Sequence, residues 1–506
     1  MQKNILEYLD KTAYMFPDKM AFDDGKTVIT FGQLKQEAEA IGSRLLALKS
    51  ERKPIAVYLP KSCDCISSFM GIVSSGNFYC PIDSAMPIER INTILKVLNP
   101  VAVITNEKLL KKTEQFTYSG QYILLEEAKK NEILKRELNS IRDNTIDTDP
   151  LYVLFTSGST GIPKGVLISH RSVIDYTDWV TETFNINSED TIGNQAPFYF
   201  DNSVLDIYCG LKNGASVCII PKRKFSFPID LLAYLNEKKI NFIFWVPSVL
   251  CMVVNTRAFE VVKPQYLNKI LFAGEVMPNK HLNIWRKELP EVLYANLYGP
   301  TEITVDCTYY IVDRLFSDDE PLPIGKACSN SRVLVLNEQD ELVKNGEEGE
   351  LCVVGTGLAL GYYNNPEKTD SVFTQNPINL LYPERMYRTG DIVKYNEKNE
   401  LIYMSRKDFQ IKHMGYRIEL GEIENALGGK TGIDNCACVY DNEAAKIIAC
   451  YTGTKMDKSD LQEYFKDKLP VYMIPAEFLW YEQFPYNSND KIDRIALAAE
   501  AKGRYQ

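Results

Sequence analysis

The chain has 506 residues, 45% hydrophobic, 25% charged and 11% aromatic, values that exclude a disordered, collagenous or coiled-coil chain. Lys and Arg number 57 against 67 Asp and Glu, and the net charge of −10 argues against a general binder of nucleic-acid backbones. Only three His are present, which argues against a His-rich metal centre. The start, MQKNILEYLDKTAYMF, carries charge in every turn and reads as neither signal peptide nor anchor. No run approaches the ~18 apolar residues of a membrane helix, so no membrane partner is expected. The twelve Cys sit mostly in apolar, strand-like surroundings. The pairs Cys63/Cys65 and Cys436/Cys438 lack the usual zinc spacing, so reduced thiols in a cytoplasmic protein are expected.

In chain order, PIAVYLP (54–60) reads as a buried strand, Cys65 to Ser75 as a helix and FYCPID (78–83) as a strand. INTILKVLNP and VAVIT repeat the step, and this rhythm predicts a parallel α/β sheet. Glu126 to Ile141 reads as one charged helix, and 142–150 as a polar connector. Strands follow at Leu151–Phe155, Ser216–Ile220, Phe242–Val246 and Ile270–Ala273. From about Leu322, VLVLNEQDEL and GEEGELCVVG alternate with period two, predicting antiparallel hairpins. Beyond Asp408, a helix at Gly421–Leu427, strands at CACVYD and KIIACY and a helix at Ser459–Lys468 suffice for a small α+β domain.

The segment LYVLFTSGSTGIPKGVLISH runs strand, loop, strand. Its loop combines Gly158, the hydroxyls of Thr156, Ser157, Ser159 and Thr160, and Lys164. Glycines let backbone N–H groups approach an anion, and hydroxyls and a Lys add donors and charge, so the loop suits a polyphosphate. Walker A spacing fails because 163 is Pro and 165 is Gly. Glu302 follows a Gly-Pro turn.

TSGSTGIPKG resembles the signature of the adenylate-forming superfamily: acyl- and aryl-CoA ligases, peptide synthetase adenylation domains and luciferases. The strips 298–302 (YGPTE), 349–351 (GEL), 357–363, 387–391 (YRTGD), 406–408 (RKD), 412–420 (KHMGYRIEL) and Lys491 in NDKIDR match that family's motifs in order. The resemblance implies a large core at 1–407, with parallel α/β sheets and a β-rich subdomain. A small mobile α+β lid at 408–506 would turn about a hinge at Asp408. It implies ATP and Mg²⁺ as cofactors. Thr156, Ser157, Gly158 and Thr160 would hold phosphates. Gly274, Glu275, Asn296, Leu297, Tyr298, Gly299, Pro300 and Thr301 would surround adenine and phosphates, with Tyr298 stacking on the base. Asp391, Tyr403 and Arg406 would hold the ribose, and Glu302 the metal. Lys164, Glu302 and Lys491 would be catalytic, Lys491 bridging the attacking carboxylate and the α-phosphate. Gly415 would face a pantetheine arm. Two departures are Ser405 for the usual Gly before the hinge Arg, and Asp490 for the Gly before Lys491.

The strips NQAPFYFD, SVLDIY and LFAGEVMP are similar to those of D-alanine–carrier protein ligases and amino-acid adenylation domains. That likeness implies that Asp201, after Phe200, holds a substrate ammonium; the alternative for Asp201 is an N-cap of the next helix. The implied pocket is Phe200, Asp201, Asn202, Leu205, Phe244, Leu271, Ala273, Leu297, Val305, Asp306 and Lys491. D-alanine ligases carry Cys at the place of Ala273 and a small apolar residue at that of Asp306. Asp306 either meets a donor on the substrate side chain or turns to a neighbour. The expected function is ATP-dependent formation of an aminoacyl-AMP and transfer to the phosphopantetheine thiol of a carrier protein, supplied in trans or by a longer synthetase. The rivals are an acyl- or aryl-CoA ligase, a luciferase-like oxygenase and a non-catalytic binding protein.

Overall fold

In a computed structural model, which describes residues 2–158, 162–485 and 492–505, the apolar run Pro54–Leu59 is buried throughout. It pairs in parallel with Phe78–Asp83 and Ala102–Thr105. These strands belong to a seven-stranded sheet whose parallel part ends at Pro150–Thr156. Lys164–Ser169 then folds back antiparallel, so the Gly-rich loop joins two neighbouring strands at a sheet end. Continuous apolar runs with crossover helices are what a sheet covered on both faces requires.

A second, nine-stranded sheet contains Thr191–Asn194, Ser216–Ile219, Phe242–Trp245, Lys269–Phe272 and Leu293–Tyr298, all mutually parallel. One buried cluster spans both sheets, from Ile55 and Leu154 to Phe244 and Leu297. The alternating segments after Leu322 form a five-stranded sheet in which every pairing is antiparallel. Beyond residue 408 lie a hairpin of Gln410–His413 and Tyr416–Glu419, a helix Leu420–Gly428 and a three-stranded sheet. These bury their own clusters around Ile418, Leu461 and Ile448.

One expected element differs. Glu126 to Ile141 is not one helix but two, Leu125–Ala128 and Lys135–Asn144. Leu125, Ala128 and Leu138 are all buried. On a continuous helix Leu138 would lie roughly half a turn round from Leu125, so one of them would face water. The break lets both reach the core, and Leu134 N donates to Ser43 Oγ at 2.9 Å across it.

The twelve Cys are free, and all but Cys251 and Cys436 are buried. Among the described residues no helix is long and apolar enough to cross a membrane. His170 is 3% exposed, accepts from Ile5 N at 3.3 Å, and is lowered by burial to a pKa of about 4. A His held neutral stabilises the fold above its ordinary value near 6.5, and that share is lost as pH falls towards 4. Acidification across that window is therefore expected to cost on the order of 3 kcal/mol from this group. His170→Gln should flatten the fall in melting temperature over the same range; an equal fall in both proteins would contradict it.

Candidate functional site

The two large sheets, the five-stranded sheet and the hairpin at 410–419 meet around a cleft of about 960 Å³, open to solvent. Thr156, Ser157, Phe200, Asp201, Asn202, Gly274, Gly299, Pro300, Thr301, Asp391, Arg406 and Gly415 all line it. Residues separated by hundreds of positions thus line one cleft. Thr160 and Lys491 lie outside the described residues.

At one end is the Gly-rich loop. The Thr156 hydroxyl is buried without a hydrogen-bond partner among the described residues, a group able to meet a ligand or water. Ser157 Oγ donates to Arg417 O at 2.8 Å and accepts from Glu419 N at 3.1 Å. A Cβ on Gly158 would meet Ile162 O at 2.0 Å, so only glycine fits this approach. Lys164 Nζ lies 3.9 Å from Glu302 and 3.6 Å from Glu419. Burial and the nearby Arg417 outweigh those carboxylates and lower its pKa to about 8.

Glu302 sits on the turn Thr301–Ile303 and is fully buried. Its Oε1 accepts from Tyr362 Oη at 2.6 Å, and its Oε2 from the Arg417 guanidinium. Burial alone would raise this carboxyl, but Arg417 and Lys164 outweigh it and hold the group down to about 2. The next residues, Thr304 and Val305, have φ of 61° and 72°. Two β-branched residues in the left-handed region are strained, and such strain persists where the surroundings fix it.

At the other end Tyr298 Oη donates to Asp391, which also accepts from Arg406 Nη1 at 2.7 Å. Arg406 is shared: its Nε and Nη2 grip Asp408 at 2.6 and 2.9 Å. The sharp turn at Gly390, φ 75°, places these groups, and a Cβ there would lie 3.0 Å from the Arg406 guanidinium. Lys412 Nζ stands 5.0 Å from the centre of the Tyr298 ring. Asn296 turns to Pro323 O at 2.8 Å, and Tyr403 is half-buried; neither lines the cleft.

Asp201 occupies the N-cap position of helix Asn202–Asn213, yet its side chain makes no capping bond. Among the described residues it forms no ion pair, and burial raises its pKa. Phe200 meets Tyr416 edge to face at 4.8 Å. Leu205, Phe244, Leu271, Ala273, Leu297 and Val305 are buried in one cluster, packed as a floor instead of exposed on the cleft wall. Asp306 also stays off the wall. It accepts from Tyr176 Oη at 2.7 Å, the neighbour-bonded placement of the two left open, and burial pushes its carboxyl up to about 8.

Glu275 does not itself line the cleft. Its two oxygens accept from Ser248 N and Gly415 N, each at 2.8 Å. That second bond ties the hairpin to the large part of the chain, and the buried pair Arg90–Glu422 does the same for the helix Leu420–Gly428 that follows it. Sequence reasoning named neither Arg90 nor Arg417; the stretch KHMGYRIEL contains Arg417, but nothing in it shows that Glu302 is the partner. Arg90→Ala strands the Glu422 carboxylate and is expected to cost this docking about 3–5 kcal/mol. The readout is faster proteolysis within 408–420; unchanged rates would deny the pair a role in docking.

A family model described as "AMP-binding enzyme" matches residues 9–363. A D-alanine–D-alanyl carrier protein ligase of Bacillus mycoides is 32% identical over 512 residues, covering 98% of this chain and 99% of that protein. In fold the chain is similar to a nonribosomal peptide synthetase protein containing adenylation and PCP domains, with TM-score 0.82, 23% identity and coverage of 98% and 84% of the two chains. It is also similar to o-succinylbenzoate CoA synthetase from Bacillus subtilis, with TM-score 0.84, 18% identity and 98% of each chain covered. At those identities the two likenesses concern fold alone.

Proposed function

The chain belongs to the AMP-binding enzyme family, and from that premise we propose that it activates an amino acid with ATP and passes it to the phosphopantetheine thiol of a carrier protein. One observation carries the amino-acid reading. Asp201 places a carboxylate on the cleft wall, hydrogen-bonded to Thr301 and the Asn202 backbone but with no ion pair among the described residues. A desolvated carboxylate gains most from a cationic partner, and the α-ammonium of an amino acid is one.

In the first step a substrate carboxylate oxygen attacks the α-phosphorus, and the bond to pyrophosphate breaks. The nucleophile is already ionised and needs no base, consistent with a cleft lined by no His among the described residues. Thr156, Ser157 and the loop amides hold phosphate oxygens. Asp391 and Arg406 take the ribose, and Lys491 offsets the charge that gathers as the two anions meet. Glu302 would hold Mg²⁺: one ionised carboxylate completed by phosphate oxygens is a donor set that this hard cation accepts. When bound, Mg²⁺ neutralises charge on the triphosphate. In the second step a thiolate attacks the acyl carbon and AMP leaves. Gly415 is at the cleft wall, and in this reading it would face the pantetheine arm.

We assign residues 1–407 to a core and 408–506 to a lid turning about Asp408, and place the protein in the cytoplasm. The name of the Bacillus relative makes D-alanine the first substrate to try. The test is ATP–pyrophosphate exchange with each L and D amino acid, and with hydroxy and fatty acids. Exchange is expected with an amino acid; exchange with only fatty or hydroxy acids would overturn the reading.

A further inference from the structure

We propose that Arg417 is a built-in counter-cation for Glu302, and that docking of the hairpin 410–419 and metal binding at Glu302 exclude one another. This rests on reading the cleft as an ATP site.

Glu302 is fully buried, so its charge must be matched by something. In the docked arrangement Lys164 stands 3.9 Å away and the closer match comes from the small domain. Arg417 reaches it from the strand Tyr416–Glu419. Its guanidinium is aimed by a second bond, Nε to Gln410 Oε1 at 2.7 Å, and Gln410 Nε2 is itself fixed on Glu419 Oε1 at 2.6 Å. This chain of bonds lies wholly within the hairpin, so Arg417 is preorganised before it arrives. The hairpin also takes Ser157 Oγ through Arg417 O and Glu419 N, the same hydroxyl offered to phosphate. Thus one short element occupies both the carboxylate and a loop hydroxyl of the phosphate end.

A divalent cation at Glu302 would confront the Arg417 guanidinium with a like charge in a desolvated place, where such contacts are least screened. The converse also holds. Once metal and pyrophosphate have left, Glu302 keeps Tyr362 Oη and, at 3.9 Å, Lys164, and Arg417 adds the close cationic partner that takes its second oxygen. Gly415 rides on the same hairpin, anchored by Gly415 N on Glu275 at 2.8 Å. Arg417 thereby times the entry of the thiol-facing side to the departure of the first product. It acts on the order of events and does not touch the reacting atoms, so it is a positioning residue.

The test uses the full chain without ATP or amino acid. Mn²⁺ with inorganic pyrophosphate serves as probe, bound metal is read by electron paramagnetic resonance, and hydrogen exchange is followed at 410–419. In the unaltered protein Mn²⁺–pyrophosphate should raise exchange at the amides of Gly415 and Glu419. Arg417→Gln should bind the probe about tenfold more tightly, because a metal-incompetent docked state no longer dominates. Its hairpin should exchange freely without ligand. Arg417→Lys keeps the charge without the fork and should fall between. In turnover, Arg417→Gln should lose thiol transfer at least tenfold more than it loses pyrophosphate exchange. Equal probe affinity in Arg417→Gln and the unaltered protein, no probe binding in either, or hairpin exchange indifferent to the probe would overturn the proposal. Failure of exchange with every amino acid would instead overturn the functional reading, and the metal titration would be read separately.

Discussion

Lys491→Ala is expected to lower amino-acid-dependent ATP–pyrophosphate exchange about 10²–10³-fold, the usual loss when a charge-stabilising group is removed at a reacting centre. Nucleotide binding should survive, because Thr156, Ser157, Asp391 and Arg406 still line the cleft. The reaction brings a carboxylate onto a phosphate, so a cation must stand between them. Lys164 is a poor substitute, placed as it is between Glu302 and Glu419 and lowered to about 8. Lys491→Arg should recover only part of the rate, since a planar fork does not reproduce a point charge. Exchange at the original rate in Lys491→Ala, with nucleotide affinity measured alongside, would remove Lys491 from the chemistry.

Asp201→Ala is expected to reduce kcat/KM for the amino acid about 10²–10³-fold, the range for truncating one member of a buried charge pair. The loss should be much smaller for the matching acid that lacks an α-amine, so preference tilts towards that acid. There is a pH signature as well. Burial raises the Asp201 carboxyl in the free protein, and an ammonium partner favours its ionised form. Amino-acid binding should therefore weaken as pH falls through the raised pKa, whereas binding of the amine-free acid should lack that dependence. A variant with its original substrate preference would make Asp201 structural.

Much of this was legible along the chain because it is local. Apolar runs of strand length gave the parallel sheets, and period-two alternation gave the antiparallel sheet after Leu322. The loop chemistry could be read from hydroxyls and glycines packed between two strands. What stayed hidden depends on tertiary contact. Arg417 and Glu302 are 115 residues apart, and Arg90 and Glu422 are 332 apart. No periodicity links them, because the docking of one folded unit on another decides which charges meet. Asp306 and Asp201 read alike in sequence, as acids beside apolar neighbours. Packing separates them: Tyr176 claims Asp306, while Asp201 is left on the cleft wall. The split of the expected helix at Glu126 to Ile141 has the same origin, since only the core dictates that Leu125 and Leu138 both be covered.

The most direct measurement is the intact mass of a phosphopantetheinylated carrier protein incubated with the chain, ATP and the amino acid that supports exchange, beside a parallel reaction with free coenzyme A. The account predicts a carrier heavier by one aminoacyl unit, dependent on ATP and lost on cleavage of the thioester. A thioester formed with coenzyme A while the carrier mass stays unchanged would contradict it.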